Sequence, residues 1–340
     1  MSYITIDNLN TINAELSNYC NAACPMCNRY DWDLNLVKDK VNNSYTSLDV
    51  FKEKIGVKVI KQLRRLYSCG VYGDGATNPE CLEIYEFLRR HNPKMRLSLH
   101  SNGGTRSKEF WAELAKLGVS VVFAIDGLED TNHLYRRNVK WENLMTNVNS
   151  FLDNKGEAKW QFLLFKHNQH QVEQAKKLSK QMGFSYFDLN YVNRWTDYDP
   201  EGNFRDVNEI DLGSYKLEKP EQPEQIFSHG GSVQLDREPD VKTEKDSFMN
   251  RKINCQSCHN NNYEIYLMAN GYVSPCCFLG DLKLHECKNI IDDYDKININ
   301  HTSLEEILNG KFFRNLESGI AGATDSYRLQ TCYSFCGVRQ

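Results

Sequence analysis

The feature that most constrains this chain is a run of eight residues, 20–27 (Cys-Asn-Ala-Ala-Cys-Pro-Met-Cys), which contains three cysteines. It follows Ile12, Ala14 and Leu16, whose alternation with polar residues is typical of a strand that runs into a loop. Cysteine thiolates are soft ligands that suit iron–sulfur clusters or zinc. A zinc site normally takes a fourth protein ligand, and no Cys or His follows for dozens of residues. The spacing therefore indicates an iron centre that keeps one position open.

The composition limits the class of protein. The chain has 340 residues, a net charge of −4 and 12 cysteines, so nothing drives it as a whole toward nucleic acid or an anionic membrane. Its first residues lack the basic and apolar regions of a signal peptide, and no apolar run is long enough to span a bilayer. We therefore expect a cytoplasmic protein, with no nucleic acid or membrane partner, whose cysteines serve metal or redox chemistry rather than disulfides.

The spacing of Cys20, Cys24 and Cys27 resembles the C-x3-C-x2-C signature of the radical S-adenosylmethionine (SAM) enzymes. The resemblance implies that these cysteines hold a [4Fe–4S] cluster whose fourth iron binds SAM. It also implies reductive cleavage of SAM to a 5′-deoxyadenosyl radical that abstracts hydrogen from a substrate, with an electron donor such as flavodoxin or ferredoxin. Three unrelated buried thiols, or half of a zinc knuckle, are the alternative interpretations of the motif alone.

Strand-like and helical segments alternate up to about residue 194, which predicts a parallel sheet built from βα units, one of them with a helix over 172–182 that Gly183 closes. Six strands are too few for a closed eight-unit barrel, so we expect an α/β fold with a partial (β/α)6 TIM-like barrel over residues 1–194. A polar segment, 195–250, is expected to be a linker or extended loop. Residues 251–340 are expected to form a small C-terminal auxiliary-cluster domain with a β-hairpin and a helix around Leu304–Leu316, whose N-cap would be Thr302 or Ser303.

Polar motifs follow the predicted strands at their carboxyl ends, where ligands bind in such sheets. Gly-Asp-Gly at 73–75 resembles the family's glycine-rich loop, with Asp in place of the usual Glu and Gly in place of Pro, and glycine there would permit close backbone approach and positive φ. Ser-Asn-Gly at 101–103 resembles its Thr-Asn-Gly, and Ala-Ile-Asp-Gly at 124–127 its Ser-x-Asp-Gly, which an Arg follows. That Arg would be Arg136 or Arg137, and a surface position for both is the alternative. The resemblance implies these SAM-binding candidates: Gly73, Asp74, Ser101, Asn102, Asp126, Arg136 and Gln161.

The other cysteines of interest lie near the C-terminus, around an Asn270-Gly271 pair that is typical of a hairpin turn. Their pattern resembles the twitch and SPASM auxiliary-cluster domains of radical SAM enzymes, and the shorter twitch form fits better. The resemblance implies a second [4Fe–4S] cluster held by four ligands: Cys258, Cys276, Cys332 and Cys336. Cys255 is the main substitute, Cys277 and Cys287 are further ones, and four thiolates would also suit zinc.

The substrate is less constrained than the chemistry. Enzymes with this domain order modify peptides and proteins or oxidise small-molecule alcohols such as those of aminoglycosides. About ten residues precede the first predicted strand, which leaves no room for an N-terminal peptide-recognition domain in this sequence. We expect modification of a peptide or protein side chain, with small-molecule dehydrogenation as the alternative. A zinc- or cluster-binding module without catalysis is the alternative from another class.

Overall fold

A computed structural model describes most of the chain between residues 4 and 338. The described residues are 4–30, 36, 41–191, 195–198, 204–221, 252–253, 255, 262–280, 287, 290–321, 327, 329, 331–332 and 336–338. Among them, no helix combines the length and the apolar character that a membrane span requires. The prediction for Cys258 falls on a residue outside this set.

Six parallel strands pair in sequence order and confirm the predicted α/β partial barrel. They are β1 (Thr11–Ala14), β2 (Arg65–Ser68), β3 (Arg96–Ser101), β4 (Val119–Ala124), β5 (Ala158–Leu164) and β6 (Tyr186–Tyr191). The connections carry a π-helical segment, Val50–Ile55, and six helices: α1 (Gly56–Gln62), α2 (Cys81–His91), α3 (Lys108–Lys116), α4 (Asn132–Tyr135), α5 (Trp141–Asp153) and α6 (Val172–Met182). Gly183 closes α6 at φ +92°, a left-handed conformation that glycine adopts without strain.

The two faces of the sheet differ in character because side chains alternate along each strand. Trp160, Phe162 and Leu164 of β5 are fully buried against the helices. The alternate residues of β5, including Gln161, are less buried and lie on the inner, concave face. On β3, the same alternation places His100 on the inner face. The apolar core thus lies between sheet and helices, and the inner face is left to polar groups.

The predicted C-terminal hairpin exists and extends the barrel sheet. It consists of β12 (Glu264–Leu267) and β13 (Val273–Ser274) around Gly271, which has φ +91°. β12 pairs in parallel with β1, from Thr11 opposite Glu264 to Ala14 opposite Leu267. The main sheet therefore has eight strands, with the hairpin added at the β1 edge.

The polar segment after β6 forms two small antiparallel ribbons within its described part. One pairs β7 (Thr196–Tyr198) with β8 (Phe204–Asp206), and the other pairs β9 (Glu209–Asp211) with β10 (Lys216–Glu218). A further short pair joins β11 (Lys252–Ile253) to β14 (Gly337–Val338). The helix predicted over Leu304–Leu316 is divided at Gly310 into α7 (Leu304–Asn309) and α8 (Lys311–Ile320), and a capping box at Ser303 starts α7.

Candidate metal centres

The first three cysteines lie in the loop after β1, at the carboxyl ends of the parallel strands. Cys24 is buried, whereas Cys20 and Cys27 are partly exposed. Two consecutive turns fold the loop, because the Cys27 amide donates to the Cys24 carbonyl at 3.1 Å and the Tyr30 amide donates to the Cys27 carbonyl at 3.0 Å. The Ala23 amide donates to the Arg137 carbonyl at 3.0 Å, which attaches the loop to the chain after α4.

Two buried charged residues that the sequence analysis did not single out anchor this loop. The Arg29 guanidinium donates to the carbonyls of Asn18 and Tyr72 and so joins the loops after β1 and β2. Glu15 accepts from the Tyr72 amide at 2.6 Å and from the Tyr266 hydroxyl of β12 at 3.0 Å. The position of the cysteine loop therefore depends on the neighbouring strand and on the C-terminal hairpin.

The predicted SAM-binding residues Asp74 and Ser101 lie together beneath the cysteine loop. One Asp74 carboxylate oxygen accepts from the Ser101 hydroxyl at 2.9 Å and from the Asn102 backbone and side-chain amides, both at 2.8 Å. The other oxygen accepts from the Ala76 amide at 3.0 Å. Burial raises the pKa of Asp74, and these hydrogen bonds oppose that shift. Asp74 thus holds the loops after β2 and β3 in register.

Gly73 supports the same arrangement through close packing. A Cβ at this position would lie 2.0 Å from the Ser17 carbonyl oxygen, so no larger residue fits against that backbone. Gly73 and Gly75 have no positive φ, and in this respect the sequence expectation was wrong. The loop needs glycine at 73 for close approach, whereas Gly103 has the positive φ, at +66°.

Asn102 connects this network to the first thiol. Its side-chain amide donates to the Cys20 sulfur at 3.6 Å and to the side-chain oxygen of Asn21 at 3.0 Å. Its own carbonyl oxygen accepts from the Gly104 amide at 2.8 Å. Because its contacts fix the amide in both directions, Asn102 presents an oriented donor to Cys20.

Arg136 presents an oriented donor to the second thiol, Cys24. Its Nη1 donates to the Cys24 sulfur at 3.6 Å, and its Nε donates to Asp126 at 2.6 Å. Asp126 is fully buried, and its second oxygen accepts from the Leu163 amide at 2.7 Å. Burial opposes the charge on the Arg136 guanidinium, but Asp126, Cys24 and Tyr135 together outweigh burial and raise the pKa of Arg136. The structure therefore brings Arg136, rather than Arg137, to the cysteine loop through its side chain.

The thiols present a donor set that fits an iron–sulfur cluster. Burial raises the pKa of Cys20, and it raises that of Cys24 to about 11 against the opposing effect of Arg136. Within the described part of the chain, no three His, Cys, Asp or Glu side chains converge closely enough to ligate a single ion. A [4Fe–4S] cluster does not need that convergence, because each thiolate binds a different iron. The loop suits a cluster better than one zinc ion.

The last SAM-binding candidate, Gln161, lies apart from this network. It is on the inner face of β5, in register with Ala124 of β4 and Asp188 of β6. Its backbone carbonyl accepts from Ile125, and no side-chain contact to the cysteine loop is present among the described residues. Its predicted role in binding SAM stays a prediction.

The C-terminal cysteines form a second candidate centre around a small cavity. Cys276, Cys332 and Cys336, three of the four predicted ligands, line it, and the fourth thiol on its wall is Cys255. The other lining residues are apolar except for one threonine: Ile253, Pro275, Phe278, Leu279, Leu316, Ile320 and Thr331.

The two further substitute ligands, Cys277 and Cys287, do not line this cavity. Cys277 faces Cys69 and Glu264, and the fully buried Cys287 lies near Tyr294. Spacing alone had left Cys255 as a substitute, because it does not determine which thiols converge. Of the three substitutes, the structure brings Cys255 to this cavity.

Comparison with known families agrees with both centres. Residues 14–178 match the model of the radical SAM superfamily, and residues 258–337 match that of SPASM, an iron–sulfur cluster-binding domain. The comparison with curated proteins gives no match.

Solved structures share the fold at low sequence identity. Streptococcus suis SuiB bound to S-adenosylmethionine is 12% identical with a TM-score of 0.52, and the match covers 81% of this chain and 61% of that one. The chain thus spans about three-fifths of the length of SuiB. The anSMEcpe structure with bound AdoMet is 16% identical with a TM-score of 0.56, and the match covers 96% of this chain and 88% of that one.

The two matched regions contain six of the seven cysteines that lie in the two candidate centres, and Cys255 lies outside them. The first matched region contains the loop of Cys20, Cys24 and Cys27, and the second contains Cys276, Cys332 and Cys336. A [4Fe–4S] cluster, SAM and further iron–sulfur clusters are the cofactors that these two domains imply. The chain belongs to the radical SAM superfamily of enzymes and has a C-terminal iron–sulfur cluster-binding domain.

Proposed function

We propose that this enzyme cleaves SAM reductively and removes a hydrogen atom from a peptide or protein side chain. The observation that carries the proposal is the pair of sulfur contacts at the carboxyl ends of the strands, Asn102 to Cys20 and Arg136 to Cys24. Oriented donors at thiolates stabilise their negative charge, which iron ligation requires. In a chain of this superfamily, the loop that receives such donors is the expected cluster site.

Cys20, Cys24 and Cys27 would hold the SAM-binding cluster, and Cys255, Cys276, Cys332 and Cys336 would line the auxiliary one. When bound, the reduced cluster and SAM supply the 5′-deoxyadenosyl radical that takes hydrogen from the substrate. Cys258 stays a predicted ligand outside the described residues. A flavodoxin- or ferredoxin-like donor would supply the electron.

The residues around the first loop have separate tasks. Asp126 orients Arg136 through its Nε, so that Nη1 faces Cys24. Asp74 orients Asn102 through two hydrogen bonds, from its backbone and side-chain amides, and so fixes the donor to Cys20. Because both carboxylates already accept hydrogen bonds from the protein, we assign them to positioning and leave direct SAM contacts to Asn102, Arg136 and backbone groups of the rim.

Two structural neighbours support a peptide substrate. One is S. suis SuiB bound to the precursor peptide SuiA, which shares 12% identity and a TM-score of 0.55, and the match covers 89% of this chain and 66% of that one. The other is anSMEcpe with AdoMet and the Cp18Cys peptide, at 16% identity and a TM-score of 0.55. The peptide substrate is our extension of this likeness, since a shared fold alone does not determine a substrate.

Transfer of label tests the proposal directly. The anaerobically reconstituted enzyme would be reduced with dithionite and supplied with SAM and a peptide pool made from fully deuterated cell protein. We expect deuterium in the 5′-deoxyadenosine product, detected by mass spectrometry. The same assay with deuterated aminoglycosides is the control for the small-molecule alternative.

Two outcomes would contradict the peptide proposal. Label that enters 5′-deoxyadenosine from the aminoglycosides and not from the peptides would favour the small-molecule dehydrogenase. Iron without any 5′-deoxyadenosine would favour the non-catalytic module.

A further inference from the structure

The ribbon of β9 and β10 lies on the barrel rim and is fixed there at its base. The Lys166 amide, in the loop after β5, donates to the Glu218 carbonyl at 3.1 Å, and its ammonium pairs with the Glu218 carboxylate at 2.9 Å. The Glu221 amide donates to the Gln169 side chain at 2.7 Å. Leu212 and Leu217, which belong to the ribbon, are buried. These contacts hold the ribbon against the rim.

The tip of this ribbon lies near the cysteine loop. Tyr215 follows the turn at the tip, where the Leu212 amide donates to the Tyr215 carbonyl at 3.0 Å. Its side chain lies close enough to Arg137 and Cys24 for both to affect its pKa, which burial raises. The ribbon thus extends from the loop after β5 to the neighbourhood of the first metal centre.

Three side chains on this stretch of rim carry buried polar atoms that lack a partner among the described residues. They are the Tyr215 hydroxyl, the Trp195 indole nitrogen and both imidazole nitrogens of His167. Trp195 is fully buried. An unpaired buried polar group destabilises a fold by about 1–3 kcal/mol, so three such side chains in this part of the chain need an explanation.

Aromatic contacts place His167 and Trp195 near the cysteine loop. The fully buried Phe165 stacks on His167 at 5.4 Å between ring centroids, contacts Trp195 at 6.1 Å and contacts Tyr135 at 4.5 Å. Tyr135 precedes Arg136, whose guanidinium lies 5.3 Å from the Tyr135 ring. One aromatic cluster therefore connects these two unpaired groups to the residue that contacts Cys24.

The loop that carries His167 is itself held firmly. The buried Asn168 amide donates to the carbonyls of Asp126 and Leu163, both at 2.9 Å, and its oxygen accepts from the Phe165 amide at 2.8 Å. His167 is therefore fixed while its nitrogens stay unpaired. Fixed but unpaired donors and acceptors are what a binding site for a polar ligand presents before the ligand arrives.

We propose that Tyr215, Trp195 and His167 bind a backbone amide of the substrate between the ribbon and the rim, next to the first metal centre. This deepens, and rests on, the proposed peptide substrate. An amide offers one donor and one acceptor without charge, and it matches an indole N–H donor, an imidazole and a phenol. Burial, with His170 and His133 nearby, lowers the pKa of His167 to about 4, so the imidazole is neutral at pH 7 and suits a neutral ligand.

The test compares stability with binding in the same variants. Tyr215→Phe and His167→Phe delete the unpaired atoms and keep the rings. We expect each to retain about tenfold less peptide, the loss of roughly one hydrogen bond, with a melting temperature equal to or above that of the wild type. Retention of a pool of N-acetylated, C-amidated hexapeptides on the SAM-loaded, reconstituted enzyme would be measured by mass spectrometry.

Tyr85→Phe is the matched control. The Tyr85 hydroxyl is also buried but donates to the Ser98 carbonyl at 3.1 Å, so its removal should lower the melting temperature and leave peptide retention unchanged.

Variants that bind like the wild type would overturn the amide site while leaving the peptide substrate in place. Melting temperatures that fall as in Tyr85→Phe would also overturn it, because the groups would then be bonded in the free protein. A wild type that retains no peptide would instead refute the peptide substrate, and the amide site with it.

Discussion

The two groups of cysteines lie in opposite surroundings. In the first, an amide donates to Cys20 and a guanidinium to Cys24. In the second, four thiols line a small cavity whose other lining residues are apolar apart from Thr331. Each group contains two partly exposed thiols, Cys20 and Cys27 in the first and Cys276 and Cys336 in the second. Burial raises the pKa of Cys24 and that of Cys276, but Arg136 opposes the shift at Cys24, whereas neighbouring thiols add to it at Cys276.

This difference indicates different demands on the two centres. A thiolate in an apolar cavity must be neutralised almost entirely by the iron it binds, which favours a cluster that stays in place. A thiolate with protein donors is stabilised independently of the iron, which suits a centre whose charge and exchangeable ligand change during turnover. The first site therefore suits a cluster whose charge and ligand change during turnover, and the second suits a cluster that stays bound.

The largest expected effect separates the two centres outright. Cys24→Ala should abolish 5′-deoxyadenosine formation and lose about half of the iron, since one of the two clusters lacks a ligand. Cys276→Ala should lose the other half. Cys81→Ala, which removes a buried thiol of α2, is the control and should keep all the iron. Iron analysis and product assays check this, and SAM cleavage by Cys24→Ala would refute the ligand assignment.

The next effect tests the cation at the first site. Arg136→Met leaves the fully buried Asp126 without its partner, so we expect the free energy of unfolding to fall by about 3 kcal/mol. Lys116→Met breaks an exposed pair with Glu113 and should lower it by less than about 0.5 kcal/mol. Urea denaturation measures both. Equal losses would show that Asp126 does not depend on Arg136 for its charge.

A third experiment tests burial as the cause by using a group outside both centres. Burial, Arg65 and Lys159 lower the pKa of His100 from 6.5 to about 4, against the effect of Asp188. Because the folded pKa lies below the unfolded one, stability should be lost as pH falls from about 6.5 to about 4. Between pH 7 and pH 5 we expect His100→Gln to lose about 1–2 kcal/mol less than the wild type.

The exposed His301 supplies the control for that experiment, and His301→Gln should follow the wild type from pH 7 to pH 5. If His100→Gln follows it as well, burial is not the dominant influence on the inner face of the sheet.

The smallest expected effect concerns the loss of metal. Because the first loop offers three thiols whereas four thiols line the C-terminal cavity, an anaerobic chelator should remove iron from the first site severalfold faster. The capacity to form 5′-deoxyadenosine should then disappear while about half of the iron remains. Loss of iron in the opposite order would contradict the proposed difference between the sites.

Local patterns in the sequence predicted much of the fold. Apolar alternation, Gly183, the Asn270-Gly271 turn and a cap at Ser303 each act over a few residues, and the structure contains all of them. The pairing of β12 with β1 and the ribbon of β9 and β10 depend on contacts between distant segments, which no local pattern encodes.

The same distinction holds for the sites. The spacing of Cys20, Cys24 and Cys27 was informative because one loop carries all three, whereas the convergence of Cys255 with Cys332 required the fold. Glu15 left a signal that could have been used, since a carboxylate directly after a strand that leads into a buried loop must find partners. Nothing local indicated that Arg29 would join two loops.

The pairing of β1 with β12 has a consequence for synthesis on the ribosome. β1 emerges early, but the strand that covers its outer edge follows only after most of the chain has been translated. Until then, the nascent barrel exposes an uncovered sheet edge, and Glu15 waits for the Tyr266 hydroxyl. If translation stalled after β6, the six barrel strands would be present but the β1 edge would be open to pairing with other chains. The yield of this protein in a cell should therefore depend on chaperones that shield this edge.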